Sequence, residues 1–148
     1  MKLLIKLLLP VIILMFILLP TMPILETELE KDPVPIMSEM TNQTAKELLG
    51  KSSWHLLHTM SVKYPLNPTK FEKETMKSFI NSFSLLYPCG SCAQHFQEII
   101  KKMPPKVDDR SSLVEWMCNV HNIVNQKLLK PIFNCSLVQE FYACGCIE

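Results

Sequence analysis

Two closely spaced cysteine pairs constrain this chain more than any other feature of its sequence. Cys89 and Cys92 form a C-x-x-C motif just inside the start of a helical pattern, and Cys144 and Cys146 flank one glycine towards the end. The free N–H groups and the dipole at a helix N-terminus stabilise a thiolate. A disulfide across a single residue closes a very small ring, and strained disulfides are reduced more easily. Both pairs therefore indicate dithiol–disulfide exchange rather than cross-linking alone.

The first 25 residues predict a membrane anchor. Lys2 and Lys6 are the charges before Glu26, and the run from residue 7 to residue 25 is uncharged and apolar. Such a run is just long enough to span a bilayer, which needs about 20 apolar residues. It lacks an Ala-x-Ala cleavage site, so we expect a signal anchor with its lysines in the cytoplasm rather than a cleaved signal peptide. In either case the remaining chain enters the secretory pathway, where six cysteines suit the oxidising conditions.

Composition places one helical domain after this segment. Residues 26–43 are acidic and rich in proline, which predicts a luminal linker, and residues 44–148 form the domain. The net charge of +1 gives no indication of a nucleic-acid partner. The whole chain has three glycines and no alternating β-branched run, so we predict an all-α fold.

Hydrophobic periodicity predicts a four-helix bundle with a short fifth helix. The predicted helices cover residues 45–63, 68–86, 89–103, 112–130 and 136–142. Ser112 and Glu115 have the spacing of a capping box, which predicts the start of the fourth helix. The apolar faces of the first two helices are predicted to contain Leu48, Leu49, Leu56, Leu57 and Met60, and Phe71, Phe79, Ile80, Phe83 and Leu86.

A polar stripe follows the fourth predicted helix. With about 100° of rotation per residue, Cys118, His121, Asn122 and Asn125 fall within one arc, opposite the apolar face of the same helix. His and Asn side chains offer directional donors and acceptors with little charge, which favours a ligand with ring nitrogens or a ribose. An ordinary solvent-exposed stripe is the alternative. The first helix carries an aromatic pair on one face, Trp54 and His58, which is more often part of a core but would form an aromatic platform opposite the stripe.

The motifs together resemble one family. Three motifs resemble those of the Erv/ALR family of FAD-linked sulfhydryl oxidases. They are Gly50-Lys51-Ser52-Ser53-Trp54 with Leu57-His58-Thr59, Tyr87-Pro88-Cys89-x-x-Cys92, and Cys118-x-x-His121-Asn122-x-Val124-Asn125, and Lys130, Phe133 and Cys135 continue the match. The resemblance covers about residues 45–146, and the terminal Cys-Gly-Cys and the leader resemble its secretory-pathway branch.

The resemblance implies a homodimeric bundle that holds FAD at its mouth. It implies that Cys92 lies against the flavin, that Cys89 is the interchange cysteine, and that Cys144 and Cys146 form a shuttle pair. The expected partners are protein dithiols, or an oxidoreductase such as a protein disulfide isomerase, with dioxygen as the acceptor and hydrogen peroxide as the product. The expected location is the endoplasmic reticulum lumen or the secretory pathway, membrane-anchored. The residues implied to bind the cofactor are Gly50, Lys51, Trp54, His58, His95, Cys118, His121, Asn122, Asn125, Lys127 and Lys130.

This chain departs from the family pattern at two positions. Lys51 stands where arginine is usual, which weakens an expected contact to the cofactor's phosphates. Asn134 replaces the usual aspartate before Cys135, a change that we do not expect to affect the chemistry.

Other readings of the cysteines compete with this one. Cys118 and Cys135 most simply bridge the fourth helix to the start of the fifth, and three such bridges would fit a saposin-like lipid-binding module without catalysis. A C-x-x-C motif also occurs in zinc sites, where His95, Cys118 and His121 would complete the ligands. A thioredoxin-type oxidoreductase needs a βαβ context that the sequence lacks.

Overall fold

A computed structural model describes residues 35–143. The predicted membrane anchor, most of the predicted linker and the Cys144–Cys146 pair lie outside the described residues. The helices are α1 (Gln43–Lys63), α2 (Lys70–Leu86), α3 (Gly90–Lys102), α4 (Arg110–Lys127) and a short α5 (Val138–Phe141), which a 3₁₀ turn (Cys135–Leu137) precedes. The predicted all-α fold with four substantial helices and a short fifth is confirmed, and residues 35–143 contain no strand.

The four long helices pack as two pairs around one core. Helix α1 lies against α4, and α2 lies against α3, while α5 packs across α1 and α4. The indole N–H of the fully buried Trp116 donates a hydrogen bond to the carbonyl oxygen of Met103 at 3.0 Å, which ties α4 to the end of α3. The buried core residues are Leu57, Tyr64, Ile80, Phe96, Ile99, Val107, Leu113, Trp116, Met117 and Val120.

Two helix starts differ from the predictions because the capping residues lie elsewhere. Helix α2 begins at Lys70 rather than at residue 68, since Thr69 and Glu72 form a reciprocal capping box. The predicted capping box at Ser112 is wrong. Asp109 caps α4 instead, its carboxylate accepting a hydrogen bond from the N–H of Ser112 at 2.8 Å, so Ser112 lies inside the first turn.

Helix α4 ends at Lys127, three residues earlier than predicted. Leu129 adopts a left-handed conformation with φ of 55°. The N–H of Lys130 then bonds to the carbonyl oxygen of Asn125 at 2.9 Å, and Lys130 precedes a proline, which disfavours a helical conformation for it. The chain therefore turns back along α4 after Leu129.

The predicted apolar faces of α1 and α2 are only partly right. Leu48, Leu56 and Phe71 were predicted to be core residues, yet their exposed fractions are 66%, 52% and 79%. The buried face of α1 carries His58 and Ser61, because α4 packs there with its polar stripe. Leu57 and Ile80 are buried as predicted.

Four of the residues within the predicted linker contact the helices. Residues 36–39, here called the strap, lie across the junction of α2 and α3. The N–H of Ile36 donates to the carbonyl oxygen of Leu85 at 3.0 Å, and the N–H of Gly90 donates to the carbonyl oxygen of Ser38 at 3.1 Å. Within the described part of the chain, no helix is long and apolar enough to cross a membrane.

Candidate functional site

A cavity of about 360 Å³ opens between α1, α4 and the chain that returns along α4. Six of the eleven residues predicted to bind the cofactor line it, and they come from three different segments. The lining consists of His58, Cys118, His121, Asn122, Asn125, Lys130, Pro131, Ile132, Phe133, Phe141 and Tyr142.

Two neutral histidines form the centre of this site. Nε2 of His58 lies 3.0 Å from Nδ1 of His121, and the indole of Trp54 stacks on His121 with ring centroids 4.0 Å apart. Burial lowers the pKa of His58 to about 3, with the neighbouring His121 and His55 as smaller causes. Burial also lowers the pKa of His121 to about 4, with a further contribution from the ammonium of Lys130. One imidazole therefore donates and the other accepts at neutral pH.

His58 keeps one polar atom unpaired. Its Nδ1 is buried and has no hydrogen-bond partner. A buried polar atom without a partner is costly, and this one belongs to a residue of the cavity lining.

Tyr142 is a site residue that the sequence analysis missed. Its ring stacks on His58 with centroids 4.4 Å apart and an angle of 18° between the planes. The sequence offered one signal, two consecutive aromatic residues just before Cys144, but periodicity assigned them only to a short helix.

The polar stripe of α4 also holds the returning chain. The side-chain amide of Asn122 donates to the carbonyl oxygen of Phe133 at 2.9 Å and accepts from the N–H of Phe133 at 2.9 Å. Cys118 and Cys135 form a disulfide, the pairing expected from the sequence. Asn125 is 8% exposed, so this stripe is a cavity wall rather than a solvent-exposed face.

The C-x-x-C motif forms a disulfide at the start of α3, outside the cavity lining. Cys89 is the N-cap residue of α3 and has no exposed surface, whereas Cys92 lies in the first turn and is half-buried. Phe96, one turn further along α3, contacts the edge of Trp54 with ring centroids 6.4 Å apart. Trp54 thus contacts both Phe96 of α3, the helix that carries the Cys89–Cys92 disulfide, and His121 of the histidine pair.

The other predicted cofactor residues do not line the cavity. Lys51 and Lys127 are exposed on α1 and α4. Burial lowers the pKa of His95, and the positive charge of Lys127 lowers it further. Gly50 leaves room at α1, where an added Cβ would make an ordinary contact with the hydroxyl of Tyr87 at 4.0 Å.

The described cysteines are not arranged as metal ligands. Cys89 is bonded to Cys92 and Cys118 to Cys135, so none of the four offers a thiolate in this state. Residues 35–143 contain no group of three or more His, Cys, Asp or Glu side chains placed to hold a metal ion.

The sequence is similar to those of known sulfhydryl oxidases. The chain is 39% identical over 121 residues to the FAD-linked sulfhydryl oxidase ERV2 of Saccharomyces cerevisiae, which covers 82% of this chain and 61% of that protein. It is 46% identical over 99 residues to the mitochondrial FAD-linked sulfhydryl oxidase ERV1 of the same yeast, covering 67% and 52%. The chain thus spans between about half and three fifths of the length of these relatives.

A solved structure and a family match complete the comparison. The crystal structure of the FAD binding domain of Erv1 from Saccharomyces cerevisiae superposes with a TM-score of 0.65 at 44% identity, covering 68% of this chain and 96% of that one. Residues 51–143, which include the histidine pair, the Cys89–Cys92 disulfide and the polar stripe, match the Erv1 / Alr family. The chain therefore belongs to the Erv1 / Alr family.

Proposed function

We propose that this protein is an FAD-dependent sulfhydryl oxidase that forms disulfides in protein substrates, with dioxygen as electron acceptor and hydrogen peroxide as product. The observation that carries the proposal is the combination, in one small helical domain, of a disulfide at a helix N-terminus and a cavity lined by neutral His and Asn side chains. The relatives named above as FAD-linked sulfhydryl oxidases support the same activity.

The residues of the cavity fit a flavin dinucleotide. The unpaired Nδ1 of His58 would gain a polar partner, and the planar rings of Trp54, His121 and Tyr142 suit an aromatic ligand. The exposed ammonium groups of Lys51, Lys127 and Lys130 suit the phosphates of FAD. Bound FAD supplies the two-electron chemistry that links thiol oxidation to the reduction of dioxygen. We propose as its binding residues Gly50, Lys51, Trp54, His58, His95, Cys118, His121, Asn122, Asn125, Lys127 and Lys130.

The chain's own cysteines carry out thiol exchange. A substrate dithiol reduces the Cys144–Cys146 disulfide and leaves as a disulfide. A thiolate of this pair then attacks Cys89, so that a new S–S bond forms to Cys89 and the Cys89–Cys92 bond breaks. The electron pair of the broken bond stays on Cys92 as a thiolate. The second thiolate of the terminal pair then attacks the mixed disulfide, so that the Cys144–Cys146 bond re-forms and Cys89 leaves as a thiolate. Cys92 is in the first turn of α3, where a negative charge is favoured, which suits it to be the cysteine beside the cofactor.

The saposin-like alternative is not favoured. Among the described cysteines, Cys89 and Cys92 are bonded across three positions and cannot staple distant helices, which leaves Cys118–Cys135 as the cross-link between segments. Besides its apolar and aromatic residues, this cavity contains two histidines, two asparagines and one lysine, whose polar groups a lipid chain would leave without hydrogen bonds.

We further propose a membrane-anchored homodimer in the secretory pathway, acting on protein dithiols or on an oxidoreductase such as a protein disulfide isomerase. The apolar run of residues 7–25 supports the anchor. The exposed Leu48 and Leu56, which share α1, support burial of this helix against a second copy.

Absorbance of the purified protein tests the proposal. A protein of residues 35–148 keeps the strap and should be yellow, with a flavin spectrum and FAD rather than FMN released on denaturation. It should also consume oxygen in the presence of dithiothreitol. A colourless preparation that is folded and disulfide-bonded would contradict the oxidase assignment.

A further inference from the structure

The strap places a carboxylate against the redox disulfide. Oε1 of Glu39 lies 3.6 Å from Sγ of Cys89. Cys89 has no exposed surface, while the side chain of Glu39 is 44% exposed. Glu39 is therefore a partly exposed carboxylate in contact with the buried sulfur that the proposed function assigns to thiol exchange.

Several contacts hold this carboxylate in place. Ser91 donates its backbone N–H to Oε2 at 2.7 Å and its hydroxyl to Oε1 at 3.0 Å, and the ammonium of Lys46 lies 2.7 Å from Oε1. These hydrogen bonds, that of Lys46 first, lower the pKa of Glu39 to about 2. The carboxylate is therefore ionised throughout the neutral pH range.

The position of the strap also depends on the glycine at position 90. A Cβ added at Gly90 would lie 3.2 Å from the carbonyl oxygen of Met37, which is a tight contact. The glycine inside the C-x-x-C motif thus allows the strap to lie directly on the start of α3, and the N–H of Gly90 bonds to Ser38 there.

We propose that Glu39 is a specificity-determining residue for thiol exchange at Cys89, which disfavours thiols carrying additional negative charge and favours neutral or cationic ones. The inference rests on the proposed role of Cys89 as interchange cysteine. The attacking thiolate bonds to Sγ of Cys89, the Cys89–Cys92 bond breaks, and the electron pair remains on Cys92. The carboxylate of Glu39, which contacts Sγ of Cys89, repels an additional negative charge on the attacking molecule and attracts an additional positive one; the ammonium of Lys46 paired with it reduces this effect in the wild type.

Three small monothiols of similar size test this selectivity: 3-mercaptopropionate, 2-mercaptoethanol and cysteamine, which carry an additional negative charge, none, and an additional positive charge. The full chain is exposed to each thiol without oxygen and quenched with acid, and peptide mass spectrometry measures the opening of the Cys89–Cys92 disulfide. The rate for Glu39→Gln divided by the wild-type rate cancels the intrinsic reactivity of each thiol.

Glu39→Gln should raise this rate ratio for 3-mercaptopropionate relative to cysteamine by about tenfold, because the two thiols differ by two unit charges and each contributes about threefold at roughly 6 Å in water. The ammonium of Lys46 remains in the variant and acts in the same direction. Glu47→Gln is the matched control, because it removes the same charge from an exposed site on α1 where the partner is Gln43, and it should leave the ratios unchanged.

Wild-type protein provides a second measurement that does not depend on a variant. Salt at 1 M screens exposed charges. It should raise the rate with 3-mercaptopropionate relative to the rate with cysteamine, and this rise should be larger for the wild-type protein than for a free model disulfide. Equal acceleration of all three thiols in Glu39→Gln would show a steric cover without charge selection, and unchanged ratios would show no role; either result overturns the inference. Oxygen consumption is measured separately, so that failure of the oxidase proposal is recognised independently.

Discussion

Removal of the Cys118–Cys135 disulfide should lower the free energy of unfolding by about 3 kcal/mol. The two cysteines are 17 positions apart, and the loss of chain entropy on closing a loop of this size in the unfolded state gives roughly that value. For a domain of roughly a hundred residues, this corresponds to a fall in melting temperature of about 12 °C. Cys118 is 1% exposed, so alanine there also loses packing against the second apolar cluster.

The double variant Cys118→Ala with Cys135→Ala avoids leaving an unpaired thiol and is the variant to measure. Thermal and urea unfolding, followed by circular dichroism at 222 nm, give the stability of the oxidised protein. Cys89→Ala with Cys92→Ala serves as the comparison, because those cysteines are 3 positions apart and their disulfide closes a much smaller loop. A loss below about 1 kcal/mol for the first double variant, or a larger loss for the second, would refute the loop-entropy reasoning.

Three further predictions concern the proposed chemistry and the histidines. Cys92→Ser should abolish thiol-dependent oxygen consumption while the flavin absorbance is retained, and continued turnover would show that the redox pair is wrongly assigned. Cys144→Ala with Cys146→Ala should lose most oxygen consumption with protein dithiols but keep much of it with dithiothreitol, which reaches the inner disulfide unaided; equal losses would exclude a shuttle role. Burial holds the pKa of His58 near 3 and that of His121 near 4, below the ordinary 6.5, so the unfolded chain binds more protons as pH falls below 6.5. The free energy of unfolding measured in urea should therefore fall by about 3 kcal/mol between pH 6.5 and 5, mostly above the range where carboxylates titrate. His58→Leu should reduce this slope by about half, and a flat wild-type profile would contradict the buried neutral pair.

Periodicity predicted the buried face of α4 well and that of α1 poorly, for one physical reason. On α4 the apolar side chains lie on a single face, and Leu113, Trp116 and Val120 are all buried as predicted. On α1 the buried face instead includes a histidine and a serine, because this helix forms a wall of the cavity. Hydrophobic periodicity identifies the buried face of a helix only when the residues on that face are apolar. The buried face of α1 contains polar residues, so the sequence pattern did not indicate which face packs against α4.

The contacts of Glu39 could not be predicted from the sequence. It lies 52 positions before Ser91, and the acidic, proline-rich composition around it is typical of a linker. Periodicity and capping patterns describe neighbours within a few residues, whereas the strap is held by contacts that only the packed helices bring together. The stripe of α4 was predictable because its members share one helix.

Asn122 imitates a peptide group. Its side chain presents one donor and one acceptor to the backbone of Phe133, the same pair that a neighbouring β-strand would present. The backbone N–H and C=O of Phe133 therefore both have hydrogen-bond partners although no sheet is present there. Aspartate has the same shape but at neutral pH only accepts, and it would set a carboxylate against the Phe133 carbonyl oxygen. Deamidation, a change of one NH₂ group to an oxygen, would therefore detach this wall of the cavity from α4.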